Sequence, residues 1–68
     1  MYEINDDEIT IYFNTAHGPR PGALWWGTDV AEALRVVEIM RQYDPWSPTV
    51  IVRDKDGAIY RDGQWTEA

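Results

Sequence analysis

Four groups of residues in this chain carry side chains that could do chemistry. They are a lone histidine at His17, the acidic run Asp6-Asp7-Glu8, the spaced carboxylates of Asp54-Lys55-Asp56-Gly57, and four tryptophans at Trp25, Trp26, Trp46 and Trp65. A catalytic His17 would need a nucleophile and a group to orient it. Thr10 and Thr15 are near in sequence, and nothing beside them completes a triad. Asp54-x-Asp56-Gly57 opens like a calcium loop, a pattern that goes on to need a ligand at position five and a bidentate Glu at position twelve. Those positions hold Ala58 and Trp65, so the segment reads as a hairpin turn. Gly18 and Gly22 flank prolines in a loop between two expected strands, whereas a phosphate cradle needs a Gly-rich turn that runs straight into a helix. With no Cys and one His, thiolate sites and ordinary multi-His zinc sites are excluded. The chain is therefore expected to be non-enzymatic, without cofactor or metal.

The aromatic residues carry more information. Neighbours in a strand point to opposite faces. One of Trp25 and Trp26 can then lie under a helix while the other lies on the open face, and the same holds for Tyr12 beside Phe13. Trp46 stands in a Pro-bracketed loop, and Trp65 stands near the end of the chain. One helix cannot cover every ring. The rings either seal a small core and its edges or form an interface, where Trp and Tyr are enriched among energetic hot spots. The expected partner contacts are Tyr12, Trp25, Trp26 and Trp46, with Asp6, Asp7 and Glu8 steering a basic partner.

The elements that must hold these residues follow from periodicity. Ile9, Ile11 and Phe13 alternate with Thr10 and Tyr12, which predicts a half-buried strand within residues 1–14. Tyr2 and Ile4 suggest a short partner strand ahead of it. Residues 15–22 hold two Gly and two Pro and predict an irregular loop. A short strand from Ala23 to Trp26, ended by Gly27, is expected to pair back on the first. The helix then starts from Thr28 or Asp29 and runs to about Tyr43 with no Gly or Pro inside. If Asp29 is the cap, Glu32 stands three residues on, as in a capping box. Val30, Ala33, Leu34, Val36, Val37, Met40 and Tyr43 form its apolar side, with Ile39 falling towards the polar one. Glu32–Arg35, Arg35–Glu38 and Glu38–Arg41 are opposite charges one turn apart. Pro45 and Pro48 stop the helix. Thr49 to Arg53, Ala58 to Arg61 and Gln64 to Glu67 then read as a meander. Its turns are Asp54–Gly57, with Gly57 left-handed, and Asp62-Gly63, a type I′ signal.

The predicted fold class is α+β: a four- or five-stranded antiparallel sheet with a single helix packed on one face, in the order β-β-α-β-β-β, as one domain over residues 1–68. Such a helix leaves the second sheet face to solvent or to a partner. The chain has 68 residues, 12 acidic and 6 basic, for a net charge of −6. A domain of this size buries only about 60% of its unfolded surface and is marginal alone. Disulfides are excluded, which leaves a core of large side chains or self-association. Residues 1–16 hold four acids and no base, or two-thirds of the net charge. An acidic chain repels phosphate backbones, so nucleic acid is not an expected partner. The first residues show neither a basic segment nor an apolar run, and no stretch is long and apolar enough to span a membrane. A cytoplasmic location is expected.

Arg53-Asp54-Lys55-Asp56-Gly57-Ala58-Ile59-Tyr60 followed by Asp62-Gly63-Gln64-Trp65 resembles the closing hairpins of small proteins from actinobacteria and their phages. The resemblance spans residues 28–65, and the strand–helix–hairpin layout is also similar to that of some phage anti-CRISPR proteins. It brings no catalytic residue. It implies a phage-encoded or phage-derived protein that binds a host protein and inhibits it by occluding a surface. Two further expectations stand beside this one: a homodimer built on the open sheet face or an edge strand, and an inhibitor whose acids imitate a nucleic-acid backbone.

Overall fold

A computed structural model describes residues 7–67. The chain runs β1 (Ile9–Thr15), β2 (Gly18–Pro19), β3 (Trp25–Gly27), α1 (Val30–Tyr43), β4 (Thr49–Arg53), β5 (Ala58–Arg61) and β6 (Gln64–Thr66). One helix packs against a curled antiparallel sheet, which is the expected α+β class. The expected strand at Tyr2 and Ile4 lies outside the described residues.

β1 is the centre of the sheet because its alternation gives one wholly apolar side. Ile9 and Ile11 are almost completely buried and form the core cluster with Ala33 of α1 and Ile51 of β4. β1 pairs along its length with β4, from Ile9 opposite Arg53 to Phe13 opposite Thr49. Residues directly opposite in an antiparallel pair share a face. The helix side of the sheet therefore carries Ile9, Ile11, Phe13 and Ile51, and the other side carries Thr10, Tyr12, Val50 and Val52.

The opposite edge of β1 holds a correction. Residues 15–22 are not an irregular loop throughout. Thr15 pairs with Gly18 and Asn14 with Pro19, closing a tight hairpin at Ala16-His17. Gly18 supplies a φ of 106°, and the Thr15 hydroxyl donates to the Gly18 carbonyl at 2.8 Å. Proline is tolerated here because the strand is an edge, where a missing N–H breaks no ladder. The same edge resumes as β3, in which Trp25 opposes Ile11 and Gly27 opposes Ile9. It starts two residues later than the sequence suggests, although the Leu24 N–H still donates to the Ile11 carbonyl at 2.8 Å. Six steps along the edge, from Pro19 to Trp25, oppose three along β1, from Asn14 to Ile11. Residues between them bulge outward, so β2 and β3 are two halves of one interrupted edge.

α1 begins where expected. Asp29 is the N-cap, and its side chain accepts from the Ala31 N–H at 2.9 Å. This satisfies one of the orphan donors of the first turn. Ala33 is the one fully buried helical residue, and its small side chain lets the helix backbone come close to β1 and β3. Two expectations about the helix fail. Leu34 is 43% exposed and Tyr43 is 85% exposed, because α1 lies over β1 and β3 rather than across the whole sheet. Of the three predicted ion pairs, only Glu38–Arg41 comes within range, at 3.8 Å between exposed side chains. Such a pair contributes at most a few tenths of a kcal/mol.

The meander closes as its turn residues require. Gly57 has a φ of 74°, and the Asp62-Gly63 turn has φ values of 50° and 80°, both left-handed as a type I′ hairpin demands. Trp65 stacks edge-on against Tyr60, with ring centroids 5.2 Å apart, and the Arg53 guanidinium lies 5.0 Å from the Trp65 ring centroid. This cluster packs beside the core on the part of the helix-side face that α1 leaves uncovered.

Gly27 shows how closely β3 is built. A Cβ there would stand 2.6 Å from Cη2 of Trp25, whose ring folds over it. Gly27→Ala must therefore push a core-facing indole aside. It is expected to destabilise the fold by about 1–3 kcal/mol, read as a lower urea midpoint with an unchanged slope.

Candidate functional site

The structure divides the residues expected to contact a partner among different surfaces. Trp25 faces the helix side and packs against the Ile9–Ile11–Ala33–Ile51 cluster, so its ring serves the core. Trp26 points the other way and is 66% exposed. It stands opposite Thr10, which stands opposite Val52, which stands opposite Ile59. That row crosses the sheet face that α1 does not cover. Tyr12 is two residues along β1 from Thr10 on the same face and is half-buried. Asp7 and Glu8 lead into β1 at the same end as Trp26, with Asp7 exposed and Glu8 half-buried. Asp6 lies outside the described residues. Trp46, 86% exposed, belongs elsewhere. The Asn14 N–H donates to the Pro48 carbonyl at 2.9 Å, which ties the 44–48 loop to the far end of β1.

The polar groups with chemical potential are engaged within the fold. The Thr10 hydroxyl is 2.9 and 2.7 Å from the two carboxylate oxygens of Asp54, to which it donates. The Asp54 N–H donates to the Glu8 carbonyl at 3.0 Å, so the β4–β5 turn and the approach to β1 are held together. Asp56 accepts a two-pronged contact from Arg53, Nε to Oδ1 at 3.0 Å and a terminal nitrogen to Oδ2 at 2.7 Å. Its Oδ1 also accepts from the Ala58 N–H at 3.1 Å. These carboxylates thus serve the hairpin, and among the described residues no group of three or more acidic or histidine side chains is placed to hold a metal. The Thr15 hydroxyl is likewise used in its turn, donating to Gly18 and accepting from the His17 N–H at 3.2 Å. His17 is exposed at the tip.

Two hollows matter for what the surface can do. A groove of about 480 Å³ runs between α1 and the β4–β5 hairpin, with Leu34, Val37 and Tyr60 on its walls and Arg41 and Arg61 at its rim. It contains no nucleophile paired with a base. A smaller cleft of about 240 Å³ lies at the C-terminal end of α1, lined by Phe13, Leu24, Ile39, Met40 and Tyr43 with Asp44 and Ser47. Phe13 and Ser47 also line the adjoining hollow that Trp46 borders, whose other walls are Asn14, Thr15, Arg20 and Pro48. The alternation of Tyr12 with Phe13 pointed to the sheet face of Trp26 and not to the first of these hollows. The second was not foreseen as a unit. Its members come from β1, the edge bulge, α1 and the 44–48 loop, and only the partial exposure expected of Ile39 hinted at it.

No family model, no curated protein and no solved structure matches the chain.

The Arg53 fork, with help from the Ala58 N–H, lowers the Asp56 carboxyl from its ordinary 3.8 to about 2. The same contact raises Arg53 further. A carboxylate with a depressed folded-state pKa stabilises the fold above its ordinary pKa, and that stabilisation is lost as pH falls towards the depressed value. Stability of the native chain is therefore expected to drop between pH 3.8 and about 2 more steeply than that of Asp56→Asn. Urea midpoints measured across that window check this, and parallel curves for the two proteins would contradict it.

Proposed function

We propose that this chain is a non-enzymatic protein-binding module that acts by covering a surface of a partner protein. The observation that carries the proposal is Trp26. Two-thirds of it is exposed, on the sheet face that the helix leaves uncovered, and its backbone is held in register by β1. An indole fixed on a paired strand loses little further freedom when it is buried against a partner. That makes it a natural hot spot. Tyr12, Val52 and Ile59 extend the same face.

The charge around this face supports a basic partner. Asp7 and Glu8 stand at the start of β1, and Asp54 hydrogen-bonds Thr10 in the row beside Trp26. The chain as a whole carries −6. Such a field speeds encounter with a cationic surface and weakens as salt is added. The likeness of the closing hairpins to those of actinophage proteins supports a host protein as that partner, such as a defence or replication component in the host cytoplasm, inhibited by occlusion. No helix among the described residues is long and apolar enough to cross a membrane. An imitation of a nucleic-acid backbone gains less support, because Asp56 is tied to Arg53 and Glu38 approaches Arg41.

The test is affinity capture with a built-in control. Immobilised protein is exposed to host lysate beside a Trp26→Ala version shown to be folded by circular dichroism. The expected result is one protein retained by the wild type, bound at least ~10-fold more weakly by Trp26→Ala, and released as salt is raised. Retention that is indifferent to Trp26 would overturn the assignment of this face.

A further inference from the structure

We propose that the apolar end of the molecule, at the C-terminus of α1, is the interface of a symmetric homodimer. Phe13, Leu24, Ile39, Met40 and Tyr43 line an apolar cleft there, and Trp46 borders the adjoining hollow that shares Phe13, on the opposite side of the sheet from Trp26 and at the other end of β1. Tyr43 and Trp46 are 85% and 86% exposed, and Ile39 is 49% exposed. None of them contributes to the core cluster beyond the half-buried Met40 and Leu24 that floor the cleft.

The exposed rings of Tyr43 and Trp46 and the exposed Ile39 stand beside this cleft with no element of the chain covering them. The chain also lacks both disulfides and a metal site of Cys or multiple His, the usual supports of so short a domain. A second subunit supplies what they would.

Charge selects a second copy rather than a basic protein as the occupant. Most surfaces of a chain at −6 repel their own copy. This end is balanced: Arg20 borders the hollow of Trp46, Arg41 and Asp44 border the neighbouring one, and Glu38 approaches Arg41. A two-fold interface brings the same patch against itself, so it needs both signs on its rim to be self-complementary. An apolar centre rimmed by Arg20, Arg41 and Asp44 meets that requirement. In such a dimer both Trp26 faces remain free, and one assembly presents two copies of the surface assigned to the partner protein.

The test is the mass in solution across a dilution series from hundreds of micromolar downward, by sedimentation equilibrium, with backbone amide spectra recorded on the same samples. The expected result is a mass that approaches twice 7.9 kDa at the high end, with concentration-dependent shifts confined to residues around Ile39, Tyr43 and Trp46. A Tyr43→Ser, Trp46→Ser double variant should keep its fold, since both side chains lie outside the core. It should lose at least ~10-fold in self-affinity and still retain the captured partner protein. Trp26→Ala should leave the dimer unchanged. Raising salt should not weaken self-association, in contrast to the contact made by the acidic face. A single-chain mass throughout the series would overturn the proposal. So would shifts centred on Trp26 or β6, which can be read on the wild type even if the double variant does not fold.

Discussion

Everything in this structure depends on the burial of two side chains, Ile9 and Ile11, on one face of β1. Among the described residues they are the largest that the fold removes almost completely from water. Replacing a fully buried Ile by Ala typically costs about 2–5 kcal/mol, against a total stability of a few kcal/mol expected for so small a domain. β1 is also the strand with most neighbours, pairing with β4 on one side and with β2 and β3 on the other. The two facts are linked. A central strand is the only place where a short sheet can bury aliphatic side chains under a single helix turn, and Ala33 is small enough to let that helix approach.

The economy of this core has a consequence for the surface. Its buried apolar residues are three Ile, one Val and two Ala, and none of the aromatic rings among the described residues is fully buried. The rings instead occupy the margins. Trp25 folds over Gly27 and Trp65 lies between Tyr60 and Arg53, each half-buried. Trp26, Tyr43 and Trp46 are left outward. The helix is the reason. It is anchored over β1 and β3, and in its last turns Met40 packs inward while Ile39 and Tyr43 stay exposed beside the cleft that Phe13 and Leu24 line. Two separate surfaces result, one flat and flanked by acids, the other a cleft with balanced charge. The proposed function uses the first and the proposed dimer uses the second. The opposite responses to salt expected of the two proposed contacts rest on those different charges.

Local chemistry was highly legible. Asp29 caps the helix, Pro45 follows its end, and Asp62-Gly63 makes the left-handed turn that only such residues adopt without strain. The alternation in Ile9–Phe13 identified the buried face of β1 before any partner strand was known. The short pairing of Gly18 and Pro19 was less legible. Edge strands escape the rule that excludes proline from sheets, and sequence does not say which strand is an edge. Tyr43 was misplaced for a related reason. The helical period puts it on the apolar side, but the period carries no information on how far the sheet extends under the helix.

The candidate site shows the same division. Composition and spacing alone determined that this chain is α+β and acidic, that it lacks the residues for thiolate or multi-histidine metal sites, and that it holds more aromatic surface than one helix can cover. Those properties follow from residue type and from the two backbone periods, which are local. Which ring goes inward was decided only by the tertiary structure. Trp25 and Trp26 are chemically identical neighbours, and their fates were set by the register that places Trp25 opposite Ile11 and Trp26 opposite Thr10. Register depends on pairing between residues far apart in the chain, and a shift of one position would exchange the two faces. The gathering of Phe13, Leu24, Ile39 and Trp46 around two adjoining hollows has the same origin, since it exists only once β1, the edge bulge, the helix and the 44–48 loop have come together.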